Sequence, residues 1–249
     1  MMVIYEMSVA FILGTAIGSF LNVCICRLPR NASIVFPGSR CPLCACPIRW
    51  YDNIPLLSFV LLRGRCRACG GRISLLYPLV EAMTGALFVL LYGHFDLSVD
   101  LIPALILTCV LIVASCTDLQ HGLIPNGLSA FTVAAGIGLS FVFGMAGFYQ
   151  GLLGGTVGGG SLFLIGALGK QILHRDSMGG GDIKLAAGIG LFLGWRGMLN
   201  SLVLACIIGT CVGLGHRILG RLQPYAPIPF APFLSLGAWI ELFFTPVLL

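Results

Sequence analysis

Charge is what this sequence has least of. Only 9% of its 249 residues are Asp, Glu, Lys or Arg, against roughly 25% in a soluble globular domain. With 58% hydrophobic residues and a mean hydropathy of +1.01, the chain cannot clothe itself in solvated surface, which excludes a soluble globular enzyme. The net charge of +5 reads as membrane topology and not as affinity for nucleic acid. A cleaved secretory leader is not expected: Glu6, not a basic residue, precedes the first apolar run, and no small-x-small site comes before the chain turns basic. Residues up to Cys24 are therefore expected to stay as the first helix. No glycine-rich turn follows a strand pattern, so no ordinary nucleotide fold is expected.

What the chain does have is apolar runs long enough to cross about 30 Å of hydrocarbon. They cover Val3 to Cys24, Leu75 to Tyr92, Leu101 to Cys116, Leu128 to Phe143, Gly151 to Leu168, Ile183 to Leu193, Leu199 to Gly215 and Phe230 to Leu248. The expectation is an all-α polytopic membrane protein with about eight transmembrane helices, Ile183 to Leu193 being short for a span. Eight of the 14 Lys and Arg fall between Arg27 and Arg72, which places that segment in the cytoplasm and the N-terminus outside. Lys170, Arg175, Lys184, Arg217 and Arg221 agree with the alternation that follows, and Arg196 dissents.

Residues 27–74 interrupt the apolar pattern with prolines, arginines and two C-x-x-C pairs, Cys41/Cys44 and Cys66/Cys69. Four thiolates on two tight turns suit tetrahedral Zn²⁺, and a reducing cytoplasm favours metal over disulfide. Four protein ligands leave no open position for water, so the zinc would be structural. Unliganded cysteines or a dithiol switch are the alternatives, and no thioredoxin-like pattern surrounds either pair. Cys46 is a further thiol able to compete as a ligand. The expected domains are the first helix at 1–26, the zinc-binding loop at 27–74 and a helical bundle at 75–249.

The acids in or beside the spans are Glu6, Glu81, Asp118, Asp182 and Glu241. Each costs at least about 2.5 kcal/mol at a bilayer centre, so each needs a reason. Asp118 follows the third span and Asp182 opens the sixth; the topology puts both at the cytoplasmic end, where they could face each other. A carboxylate pair sharing one proton can activate water and donate to a carbonyl oxygen, as in aspartic proteases. Gly179, Gly180 and Gly181 give room for a neighbouring helix or an extended peptide and allow unusual backbone angles. Against this, Asp182 fits a simple helix cap. Lys184 either snorkels to the interface or pairs with a carboxylate. Glu81 has no evident partner in sequence, and Glu241 lies in the last span. A transporter or proton-coupled channel is the alternative from another class, but no internal repeat is found.

Four linked motifs carry a resemblance. "GTAIGSFLNVCICRLP" (Gly14 to Pro29), the "CPLC…WYDNIPLLSF…LRGRCRACGGRIS…YPLVE" run (Cys41 to Glu81), "DLQHGLIPN" (Asp118 to Asn126) and "GGGDIKLAAGIG" (Gly179 to Gly190) resemble the bacterial type IV prepilin peptidases in order and spacing. The resemblance implies a peptidase of the bacterial inner membrane that cuts the basic leader from prepilins or type II secretion pseudopilins at the cytoplasmic face. It also implies S-adenosylmethionine-dependent N-methylation of the new N-terminal residue. By position it makes Asp118 and Asp182 catalytic and Cys41, Cys44, Cys66 and Cys69 the metal ligands. The family often has an acid where this chain has Asn126.

Overall fold

The computed structural model describes residues 2–173, 178–219 and 228–244; Arg175, Ser177 and Arg221 lie outside them. The regular secondary structure of the described residues is helical, apart from two isolated β-bridges within residues 40–72. The helices are α1 (Met2–Arg27), α2 (Leu57–Leu61), α3 (Leu76–Phe95), α4 (Leu101–His121), α5 (Asn126–Ser140), α6 (Gly144–Leu173), α7 (Gly180–Ile218) and α8 (Ala231–Phe244). Among the described residues, five helical stretches are long and apolar enough to cross a membrane. One of them joins α5 and α6 over 47 residues, and another is the 39-residue α7. Within α7, Gly194 takes φ 68°, ψ 179°, a conformation open to glycine that ends one helix and begins another. That break follows directly on the short apolar run Ile183 to Leu193.

The chain divides into two compact units, residues 1–101 and 102–249. In the first, α1 packs on α3. A methyl group on Gly14 would lie 2.8 Å from Gly85 Cα, and one on Gly18 would lie 2.8 Å from Glu81 Cα. This is small-x-x-x-small packing, in which missing side chains let two membrane-length helices touch through their backbones. Polar ties hold both ends: the Asn22 amide donates to the Tyr77 carbonyl at 3.0 Å, and the Tyr92 hydroxyl donates to Glu6 Oε2 at 2.9 Å. Glu6 thereby has a hydrogen-bond partner on the facing helix.

In the second unit α7 packs against α5, α6 and α8. Gly154 of α6 meets Gly190 of α7 backbone to backbone, and Gly188 lies against Thr132 of α5. Gly237 of α8 touches the Ser201 carbonyl of α7 in the same manner. Hydroxyls stitch α8 to α4, Ser115 Oγ lying 2.8 Å from Ser235 Oγ. α4 carries a run of buried residues from Val110 to Ala114. It continues one turn past the apolar run, to His121, with no glycine or proline to stop it before Gly122. Asp118 thus sits on the last turn of a helix, not in a loop after one.

Candidate functional site

Two knuckles build the cysteine cluster, and they repeat one another with an offset of 25 positions. The Cys41 N–H donates to the Cys46 carbonyl at 3.0 Å and the Ala45 N–H to the Cys41 carbonyl at 2.9 Å; Cys66 to Gly71 and Gly70 to Cys66 reproduce the pattern at 2.8 and 2.9 Å. Bridges from Arg40 to Pro47 and from Arg65 to Arg72 close the two loops. Each knuckle needs one residue at positive φ: Gly70 at 68° and Ala45 at 57°. Cys46 takes the place of Gly71 in this repeat, contributes its carbonyl and lies outside the cluster. The sulfurs of Cys41, Cys44, Cys66 and Cys69 all fall within 4.8 Å of one another, and Cys41 Sγ is 3.9 Å from Cys69 Sγ. A tetrahedron of Zn–S bonds about 2.3 Å long has edges of about 3.8 Å, so the four thiols fit zinc. The N–H groups of Cys44 and Leu43 hold the Cys41 thiol at about 7, below the usual thiol value, which favours the thiolate that a metal requires.

A neighbouring clasp ties the 50–53 turn to the second knuckle. Arg67 grips Asp52 through both of its carboxylate oxygens, at 2.7 to 3.1 Å, and holds that carboxyl below the usual range.

The two aspartates come together within the second unit, close enough for their charges to interact. Their surroundings differ. Asp118 is buried, and its Oδ2 accepts the Ala231 N–H at 3.0 Å; the Phe230 N–H points to the same carboxylate. It therefore caps the N-terminus of α8, where helix N–H groups and the helix dipole favour an anion. Asp182 is the one that looks like a cap in sequence. Yet α7 begins behind Gly179 with no side-chain cap, and buried Asp182 Oδ1 has no hydrogen-bond partner among the described residues. The capping role falls to the other member of the pair.

Each of the three glycines meets different surroundings. A Cβ on Gly179 would lie 2.9 Å from Asp182 Oδ2, so that position is kept clear by the carboxylate itself. One on Gly181 would lie 3.0 Å from Ile124 Cβ, and one on Gly180 would meet nothing within 4 Å. None has positive φ; what they contribute is space, not unusual backbone angles. Lys184 donates to Asn126 Oδ1 at 2.9 Å, joining the first turns of α5 and α7 through an amide and not a carboxylate. Glu81 accepts the Leu56 N–H at 2.9 Å and a bond from Ser19. Glu241 is buried and accepts from the Asn200 amide at 3.0 Å. Sequence reasoning missed the contacts of both glutamates because their partners are remote and one is a backbone group.

A helical chain with membrane-length segments, a four-thiol cluster in one unit and a carboxylate pair in the other belongs with multi-pass membrane proteins. Residues 12–95 match the family model described as the Bacterial Peptidase A24 N-terminal domain, and residues 105–214 match that of the Type IV leader peptidase family. The chain is 44% identical over 204 residues to a Prepilin leader peptidase/N-methyltransferase of Myxococcus xanthus, a match spanning 82% of this chain and 61% of that protein. It is 36% identical to the protein of the same name in Bacillus subtilis, over 93% of this chain and 92% of that one. With the Aeromonas salmonicida protein of that name the identity is 33%, over 94% and 89%. No solved structure matches. The chain belongs to the prepilin leader peptidase/N-methyltransferase family.

Proposed function

We propose that the chain is an aspartic endopeptidase of the bacterial inner membrane. It removes the basic leader from prepilins or type II secretion pseudopilins and N-methylates the residue so exposed. The observation that carries this reading is that the Asp118 and Asp182 carboxylates lie near enough for their charges to interact, inside the stretch that matches the leader peptidase family. In the mechanism, Asp118, its Oδ2 held by the Ala231 N–H, takes a proton from water. Asp182 Oδ1, with no partner among the described residues, carries the shared proton towards the scissile carbonyl oxygen. Water oxygen adds to the carbonyl carbon; the tetrahedral species then expels the amine, which leaves protonated, and no covalent enzyme intermediate forms.

In this reading the helices cross the membrane about eight times, α7 contributing two crossings on either side of Gly194. The N-terminus is outside, and the cysteine loop and the carboxylates are at the cytoplasmic face. Cys41, Cys44, Cys66 and Cys69 hold a structural zinc, and S-adenosylmethionine supplies the methyl group when bound. The test is a processing assay with purified protein in lipid nanodiscs and a panel of prepilins. Conversion to the shorter form by the wild type, lost in Asp118→Asn and in Asp182→Asn, is expected; either variant cutting at the normal rate would sink the dyad.

A further inference from the structure

α2 is a five-residue helix with its apolar side outward. Leu57, Val60 and Leu61 recur at the i, i+3, i+4 spacing that puts side chains on one helix face, and they are 51%, 70% and 71% exposed. The other side is held by the loop itself. The Ser58 hydroxyl donates to the Tyr51 carbonyl at 3.0 Å, and the Phe59 ring closes on Gly64, where a Cβ would lie 3.0 Å from it. A helix this short does not persist in water by propensity alone, and an apolar face turned to water adds nothing to it.

The depth at which α2 is held points to what covers that face. Leu56, directly before it, stands at φ 60°, and its N–H donates to Glu81 Oε2 at 2.9 Å. Glu81 lies on α3, five residues after Leu76, which is about 7.5 Å along a helix axis. α3 is one of the membrane-length helices, and it already turns leucine outward at its start, Leu75 and Leu79 being 73% and 61% exposed. α2 thus begins beside the second turn of α3, within the roughly 5–10 Å at which interfacial helices lie. Trp50 opens the 50–53 turn that Ser58 ties to α2, and it is 81% exposed; tryptophan favours the headgroup level.

Charge selects among apolar surroundings. Residues 27–74 hold eight arginines, no lysine and one acid, Asp52, which Arg67 takes at 2.7 Å. Arg63 and Arg65 follow α2 closely, are exposed, and have no acid of the loop left to meet. Arginines beside an exposed apolar face match anionic lipid headgroups, and they repel the basic leader of the proposed substrate.

We propose that α2 is an interfacial helix that sets Leu57, Val60 and Leu61 into the cytoplasmic leaflet and Arg63 and Arg65 among its anionic headgroups. The cysteine loop is then fixed to the membrane twice, through Glu81 and through the leaflet. The proposal rests on α3 crossing the membrane with that loop at the cytoplasmic face. The test uses the full chain in nanodiscs of phosphatidylcholine doped with a trace of phosphatidylglycerol or phosphatidylcholine that carries a diazirine on the upper acyl chain, followed by photolysis and peptide mapping. Residues 57–61 are expected to take acyl label together with 75–79. Their label from the anionic lipid should exceed that from the neutral lipid about threefold or more, and the ratio should fall to about one in the Arg63→Gln, Arg65→Gln double variant. Label on 75–79 without label on 57–61 overturns the proposal alone; label on neither overturns the crossing by α3 and the proposal with it. A ratio near one in the wild type overturns the role of the arginines. Loss of label from 57–61 on adding saturating prepilin, with 75–79 still labelled, means that a protein covers the face and overturns the lipid. The wild type alone decides the insertion, so a misfolded variant does not rescue it.

Discussion

The two aspartates should separate activity from stability in different ways. Replacing Asp118 with Ala removes both the charge and the acceptor for the Ala231 N–H at 3.0 Å and for its neighbour on Phe230. A buried donor left without an acceptor costs about 1–3 kcal/mol, and a lost cap about 1. Asp118→Ala should therefore unfold about 1–3 kcal/mol more easily than wild type. Asp118→Asn keeps a carbonyl oxygen in place and should lose less than about 1 kcal/mol. Asp182→Asn changes a group whose buried Oδ1 bonds to nothing described and relieves the repulsion from Asp118, so its stability should equal or slightly exceed that of wild type. All three should lose roughly 10²- to 10⁴-fold in processing rate, the range for a displaced general acid or base. The assay pairs prepilin conversion with thermal unfolding in one nanodisc preparation. A stable Asp118→Ala protein would refute the capping role; Asp118→Asn cutting within tenfold of wild type would refute the mechanism.

In the cysteine loop, Cys41→Ser and Cys66→Ser should each lower the zinc measured per chain, and unchanged stoichiometry would dispose of the four-thiol site. Ala45→Gly should stabilise the first knuckle by up to about 1 kcal/mol, because it relieves the positive φ that Gly70 meets without strain. Gly70→Ala should cost a similar amount, and zinc retention against a graded chelator reads both. Among the glycines before Asp182, Gly179→Ala should cripple processing by crowding Oδ2, whereas Gly180→Ala, with nothing within 4 Å, should cut at close to the wild-type rate. Equal losses in the two would refute the account of crowding.

What the sequence made legible is what is local in it. Apolar run length announced the helices, and C-x-x-C spacing announced the cluster, since both are written within a few residues of each other. The division of α7 was legible too, since the apolar runs Ile183 to Leu193 and Leu199 to Gly215 fall on either side of the break at Gly194. Two signals were present and unused: the Gly14-x-x-x-Gly18 spacing that lets α1 lie on α3, and the 25-residue offset between knuckles that assigns Cys46 to Gly71's place. The remainder needs three dimensions. Asp118 finds its donor 113 positions away, Lys184 finds Asn126 58 positions away, and Glu81 finds a backbone N–H 25 positions back; a backbone partner leaves no mark on residue identity.

The same distinction explains why the aspartates were easier to pair than to tell apart. Rarity and shared topology singled them out, because a carboxylate in an apolar chain needs a reason wherever it falls. Their roles depend on which helix end each one faces. Asp118, at the C-terminal end of its own helix, should be disfavoured by that helix's dipole. It instead faces the N-terminus of α8, whose free N–H groups offset the penalty. Asp182 lies at the N-terminus of its own helix, the favourable place for an anion, yet one of its buried oxygens has no hydrogen-bond partner among the described residues. A carboxylate kept for structure alone would use that oxygen. An oxygen with no partner among the described residues, near a second carboxylate and at a turn kept clear by Gly179, is what the proposed proton-passing role of Asp182 requires.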